Sequence, residues 1–284
     1  MTAFNGTLIP IGGGEDKGAN EKRGLDFINQ GILAHVVRES GGVDAKIVIV
    51  PTASSIPKKV GEMYLESFDL LGCTNVKVAY ISRPKHCKDP EIIEMFETAD
   101  CIMFSGGDQS KIAEKIGGSP IHEILRRRLT DDRLVIAGTS AGAMAMANEM
   151  IAGGSATDSL LKGAVLMSKG LSLMPDLVVD THFIKRGRFG RLAEAVAMHP
   201  EIIGVGLAED TGLIIKDGSE FRVIGSGMVI VLDARNLTHN AHSQLKNGTA
   251  MSMSNLTTHI LANGDRFEFE ARKISVLPIH EKFV

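Results

Sequence analysis

The chain has 284 residues, 44% of them apolar and 23% charged, with a formal net charge of −3. That length suits one large α/β domain or two small ones, and the apolar share suits a well-packed core. The slightly acidic balance excludes a general nucleic-acid binder, which needs a basic surface. The only cysteines, Cys73, Cys87 and Cys101, have no CxxC spacing, so neither a disulfide framework nor a zinc site is expected and a reducing cytoplasm is the natural setting. The opening MTAFNGTLIPIGGG lacks a basic segment and a long apolar one, so no signal peptide is expected. No apolar run reaches bilayer length, so no membrane partner is expected either.

Along the chain, TLIPI is followed by the amphipathic EKRGLDFINQGILAHVVRE, and KIVIV by KKVGEMYLESFDLL. VKVAYI, CIMF and LVIA continue the series, each with a helix-like segment behind it. Apolar strands alternating with helices predict a parallel sheet covered on both faces. Beyond Glu209 the texture changes. GLIIK and FRVIGSGMVIVL are expected to pair across an Asp217-Gly218 turn, and ILANGDRFEFEARKI to repeat that hairpin at Asn263-Gly264. No linker or repeat interrupts the chain. The expectation is a single domain over residues 1–284: an α/β three-layer sandwich with a mainly parallel central sheet and C-terminal antiparallel strands.

In such sheets ligands bind beyond the carboxyl ends of the strands. The segments to inspect are therefore GGGEDKG (12–18), PTASS (51–55), SGGDQS (105–110), GTSAG (138–142), DTHF (180–183) and AED (208–210). Gly138-x-Ser140-x-Gly142 matches a nucleophile elbow, in which a sharp strand-to-helix turn lifts a serine above the sheet and side chains at the flanking positions would collide. It also aims the Ala141 N–H toward an oxyanion hole. The bland alternative is a Gly-Ser turn capping a helix.

Ser140 needs a base and a group to orient that base. His199-x-Glu201 looks like the pair of class I glutamine amidotransferases, but it follows a helix and precedes the strand IIGVGLA, which puts it at the wrong edge of the sheet. His182 follows the strand LVV and Glu209 follows IIGVGLA, at the edge of Ser140. The expected triad is Ser140, His182 and Glu209, with His199 a helix C-terminal histidine favoured by the dipole. The chain order Ser…His…Glu disfavours the α/β-hydrolases.

Arg186, Arg188 and Arg191 follow His182 closely and are expected to bind substrate carboxylates. Asp180 is open to pairing with one of these arginines or with a cationic substrate group. In SGGDQS, Gly106, Gly107 and Asp108 offer backbone N–H groups, one of them as a second oxyanion donor, and Gln109 could bond a substrate amide or carboxylate. GGGEDKG fits neither a dinucleotide fingerprint nor a P-loop, and its Glu15, Asp16 and Lys17 are expected at the cleft rim. Neither a metal nor another cofactor is expected.

GTSAGA, SGGDQ, DTHFIKRGRFGRL and GLAED together resemble the cyanophycinases of the peptidase S51 serine hydrolases, a family that also includes the aspartyl dipeptidase peptidase E. The resemblance spans nearly the whole chain, and the arginine string after His182 separates it from peptidase E. It implies a flavodoxin-like or class I amidotransferase-like sandwich, commonly a homodimer. It also implies exo-cleavage of cyanophycin, a poly-aspartate carrying arginine on each β-carboxyl, to β-Asp-Arg dipeptides. By that resemblance Ser140, His182 and Glu209 are catalytic, and Gln109, Asp180, Thr181, Arg186, Arg188 and Arg191 bind substrate. Thr181 stands where the family often has glutamine. Substrate guanidiniums would be met by Asp180 and by Glu15 or Asp16. The rival expectations are a related aspartyl or isoaspartyl dipeptidase, or a non-catalytic amidotransferase-like binding protein.

Overall fold

The computed structural model describes residues 4–18, 25–155, 158, 160–282 and 284. Its first half alternates strands and helices: β1 (Thr7–Ile11), α1 (Ile32–Glu39), β2 (Ile47–Val50), α2 (Pro57–Leu70), β3 (Val76–Val78), α3 (Pro90–Thr98), β4 (Cys101–Phe104), α4 (Gln109–Ile116), α5 (Pro120–Asp131), β5 (Val135–Thr139) and α6 (Ala141–Met144). Strands β1, β5, β4, β2 and β3 lie side by side in that order and all run parallel. Their residues alternate between two cores. Ile9, Ile11, Ile47, Ile49, Cys101, Met103, Val135 and Ala137 face α1 and α2. Leu8, Val48, Val50, Ile102, Phe104 and Ile136 face α3, α4 and α5 on the other side. Apolar residues turned to both faces are what a sheet covered on both sides requires.

The second half contains β6 (Glu149–Gly154), β7 (Val165–Lys169), β8 (Leu177–Asp180), α7 (Phe189–Met198), β9 (Ile203–Leu207), β10 (Thr211–Lys216), β11 (Glu220–Gly225), β12 (Val229–Asp233), β13 (Thr257–Leu261), β14 (Arg266–Glu268) and β15 (Lys273–Ser275). Strands β10, β11, β14 and β15 extend the central sheet to nine strands, antiparallel from β1 outward. The turn joining β10 to β11 is the expected one, with Asp217 at φ 52° and Gly218 at φ 74°, the left-handed pair of a tight hairpin.

Three expectations need correction. The helix expected over 21–39 is confined to α1, after a turn at 27–30 and Gly31; residues 21–24 lie outside the described residues. Asn263-Gly264 makes no hairpin. Strand β13 pairs with β12 and β14 with β11, so this turn carries the chain from one sheet to another. The reason is a buried side chain: Asn263 Nδ2 donates to the Gly225 carbonyl at 3.0 Å, anchoring the turn on the end of β11.

The third correction bears on the site. Strands β8 and β9 do not join the central sheet. They form a separate four-stranded sheet in the order β13-β12-β9-β8, with β8 and β9 parallel and α7 as their crossover. This second sheet packs into the same buried cluster as one face of the central sheet, through Val178, Val205 and Val231. No helix among the described residues is long and apolar enough to cross a membrane.

Candidate active site

Ser140 stands between β5 and α6 at φ 51° and ψ −111°, a conformation that side-chain-bearing residues rarely adopt. The flanking glycines are explained by contact. A Cβ on Gly138 would lie 2.6 Å from the Gly142 carbonyl carbon, and one on Gly142 would lie 2.6 Å from the Phe104 carbonyl oxygen. No larger residue fits either position without moving backbone.

The loop after β1 holds the site together. The Ile11 carbonyl accepts from the Ser140 N–H at 2.9 Å, the Gly12 carbonyl from the His182 N–H at 2.8 Å, and the Gly13 carbonyl from the Asp210 N–H at 2.9 Å. Three consecutive carbonyls thus fix the ends of β5, β8 and β9. This is how residues from two sheets converge although β8 and β9 lie outside the central one. His182 and Asp210 share the positive φ of Ser140, at 48° and 50°. A Cβ on Gly13 would lie 2.5 Å from His182 Cε1, so the imidazole rests directly on the glycine backbone.

The side chains form a continuous hydrogen-bonded chain. Ser140 Oγ is 3.0 Å from His182 Nε2, and His182 Nδ1 is 2.7 Å from Glu209 Oε1. With Nδ1–H donating to the carboxylate, the Nε2 lone pair faces the serine hydroxyl. Burial pushes the imidazole below its ordinary pKa; Glu209 pulls it back up, and Arg186 and Arg188 add to the lowering. Burial would raise Glu209, but hydrogen bonds and charge from Lys185 and His182 outweigh it and hold the carboxyl below its usual value. The imidazole is thus kept neutral and the carboxylate ionised near neutral pH. His199 caps the C-terminus of α7, 3.5 Å from Glu201 Oε1 and 3.8 Å from Glu149 Oε2, and touches none of these groups.

Ser140 and His182 open onto a cavity of about 350 Å³ lined also by Gly13, Lys17, Tyr64, Gly107 and Arg186. The N–H groups of Gly107 and Ala141 have no partner among the described residues, so both are available to an oxyanion. Gly107 is restricted to glycine by its φ of 144° and by the Ala53 carbonyl oxygen, 2.2 Å from where a Cβ would sit. Asp108 is not available: its N–H donates to the Ala53 carbonyl at 3.0 Å, and its carboxylate caps α4 through the Ser110 N–H. A second cavity, lined by Lys46, Asn75, Lys77 and Glu94, lies at the amino ends of β2 and β3.

The expected substrate residues divide. Of the three arginines only Arg186 lines the cavity, and its side chain is exposed. Asp180 is fully buried, with Arg191 donating to both its oxygens at 2.5 and 2.8 Å and Arg188 to Oδ1 at 3.1 Å. Arg188 also bonds the Thr181 carbonyl at 2.7 Å. Thr181 is fully buried, with its hydroxyl on Met144 Sδ. Gln109 spends both amide hydrogens on the carbonyls of Ile151 and Ala152, at 2.8 and 3.1 Å, tying α4 to β6. Asp180, Thr181, Arg191 and the Gln109 amide nitrogen therefore serve the framework in this structure, because the fold already supplies their partners.

Glu15 and Asp16 are likewise buried rather than at the rim. Glu15 accepts from Tyr64 OH at 2.5 Å and Thr139 Oγ1 at 2.6 Å, and pairs with Lys17 Nζ at 2.9 Å. Burial raises this carboxyl, yet Lys17, Thr139 and Tyr64 together bring it below its ordinary pKa. Sequence reasoning missed Tyr64, which reads as an ordinary core aromatic of α2, and Thr139, hidden beside the serine. It also missed Lys185, whose ammonium lies 2.9 Å from Glu209 Oε2; its place three residues after His182 was the available signal. Among the described residues no cluster of three or more His, Cys, Asp or Glu could hold a metal.

The model of "Peptidase family S51" matches residues 18–224, a span that contains Ser140, His182 and Glu209. A cyanophycinase of Trichormus variabilis is 34% identical over 271 residues, covering 95% of this chain and 87% of that protein. A cyanophycinase of Geminocystis herdmanii is 33% identical, covering 92% and 93%. Among solved structures, a peptidase from an acI-B1 actinobacterium superposes with a TM-score of 0.68 at 19% identity, covering 95% of this chain and 99% of that one, which shows a shared fold.

Proposed function

The chain belongs to peptidase family S51, and we propose that it is a serine exopeptidase that hydrolyses cyanophycin to β-Asp-Arg dipeptides through an acyl-enzyme. The observation that carries the mechanism is the unbroken chain Ser140–His182–Glu209, with contacts of 3.0 and 2.7 Å. Ser140 Oγ attacks the backbone carbonyl while its proton passes to His182 Nε2, and Glu209 holds the imidazolium that forms. The oxyanion is met by the N–H groups of Gly107 and Ala141. Collapse breaks the C–N bond, the leaving amine takes the proton from His182, and a water activated in the same way hydrolyses the acyl-enzyme.

The cavity suits this substrate class. Arg186 offers a guanidinium that no described side chain engages, placed to hold a carboxylate beside Ser140. The triad draws on both sheets, and one buried cluster joins them, so the reading takes residues 1–284 as a single hydrolase domain. It carries with it a homodimer and a cytoplasmic location, to be checked by light scattering and cell fractionation.

The decisive experiment is incubation with purified cyanophycin and mass spectrometry of the products. β-Asp-Arg should appear, and Ser140→Ala should lose at least about 10⁴-fold in kcat while folding normally. Near-full release by Ser140→Ala would refute the nucleophile. Turnover of Asp-X dipeptides in place of the polymer would refute the substrate.

A further inference from the structure

Glu209 has two cationic or hydrogen-bonding partners where a triad carboxylate needs one. Its Oε1 takes the His182 Nδ1–H at 2.7 Å and also lies 3.1 Å from Lys185 Nζ, while its Oε2 lies 2.9 Å from the same ammonium. Lys185 thus straddles both oxygens. Its own side chain is 70% exposed and that of Glu209 29%, so the pair is open to water on one side. Glu209 is hemmed in on its other side by the β1 loop, where a Cβ on Gly14 would lie 3.2 Å from its Cδ.

We infer that Lys185 is a positioning residue of this site: it fixes the plane of the Glu209 carboxylate toward His182 and lowers the proton affinity of the imidazole by neutralising part of the carboxylate charge. The inference rests on the proposed triad. The geometry supplies both halves of it. A carboxylate held through one oxygen can rotate about its last bond, and an ammonium across both oxygens removes that freedom. The same ammonium opposes the charge on which an imidazolium depends.

The other charged groups around the pair do not substitute for Lys185. From the string after β8, Arg186 and Arg188 face His182, and Arg188 is engaged by Asp180. The end of β5 presents the neutral Ser140. The β1 loop presents Gly13 and Gly14 to the two side chains, and its Lys17 is paired with Glu15 farther along the cavity. Among the described residues Lys185 is the cation in hydrogen-bond contact with Glu209. Removing it leaves the carboxylate charge facing His182 alone, so the imidazole should become easier to protonate.

The test is an NMR titration of the His182 imidazole in the full chain, comparing wild type with Lys185→Met and Lys185→Arg at low and at about 1 M salt. Lys185→Met keeps the apolar stem and removes the charge from an exposed position. It should bind the His182 proton about threefold more tightly, the scale of an exposed ion pair. Lys185→Arg should stay near wild type, and high salt should move wild type toward the Met variant. An unmoved midpoint in Lys185→Met would overturn the inference, as would an equal shift in Lys185→Arg, which would mark a merely structural role. This titration needs no substrate, so it is legible whether or not the chain cleaves cyanophycin. If it does, the acid limb of kcat/KM should move to higher pH in Lys185→Met, since protonated His182 cannot act as base.

Discussion

Asp180 and His182 sit two residues apart at the end of β8, with charged neighbours drawn from one string, DTHFIKRGRFGRL. Asp180 is sealed with Arg188 and Arg191, whereas His182 opens onto the cavity with Ser140, Glu209 and Arg186. Backbone geometry makes the difference. Asp180 ends a buried strand, and at His182 the chain turns through φ 48°. Arg191 then returns on the first turn of α7 to the carboxylate that β8 buried. Residue types that look equivalent in sequence are divided between framework and site by which side of that turn they fall on.

Three substitutions test this division between framework and site. The largest effect on stability should come from Asp180→Ala, which strands two guanidiniums, that of Arg191 almost wholly buried. A loss of about 3–5 kcal/mol is expected in urea unfolding, because a buried charge loses its partner. An unfolding midpoint equal to wild type would return Asp180 to a substrate role.

Next comes Gly13→Ala. The new Cβ would meet the His182 ring at 2.5 Å on a backbone with φ 94°, and either the imidazole or the loop must move. Displacing the proposed base by a fraction of an ångström to an ångström is expected to cost about 100-fold in kcat, well beyond any change in KM. Retention of full kcat would mean that the loop does not set the position of His182.

The smallest effect should come from Arg186→Ala. With no partner among the described residues, it should leave the thermal midpoint unchanged while raising KM for cyanophycin about tenfold, the lower end of what one charged hydrogen bond supplies. An unchanged KM would leave the cavity without its expected carboxylate contact. Equal loss of stability in Arg186→Ala and Asp180→Ala would erase the distinction between the two regions.

Much of the site was legible in the sequence because strand ends are local features. An apolar run followed by a small or polar cluster identifies a carboxyl end wherever the strand is paired. That is why Ser140, His182 and Glu209 could be brought together, and His199 set aside, without knowing that β8 and β9 belong to a second sheet. The glycines of GTSAG were equally readable, since close backbone approach excludes a Cβ in any elbow of this kind. Gln109 and Arg191 were expected at the substrate and are bonded within the fold here, and Asp180, open to either partner, is taken by the arginines, for a contrary reason. A polar side chain offers the same donors to a substrate as to a carbonyl or carboxylate brought up by the fold, and sequence does not say which arrives first.

Spacing along the chain thus carried the alternation of strands and helices, the hairpin at Asp217-Gly218 and the meeting of Ser140, His182 and Glu209. Packing across the whole fold set which sheet each strand joins, that the carbonyls of Ile11, Gly12 and Gly13 hold Ser140, His182 and Asp210, that Glu15 is enclosed by Tyr64, Thr139 and Lys17, and that Lys185 shares Glu209 with His182. Periodicity and turn chemistry act between near neighbours in the chain. The partner of a buried charge is chosen by packing among segments far apart in it, where an unpaired group is too costly to leave and the available partners are set by the whole fold.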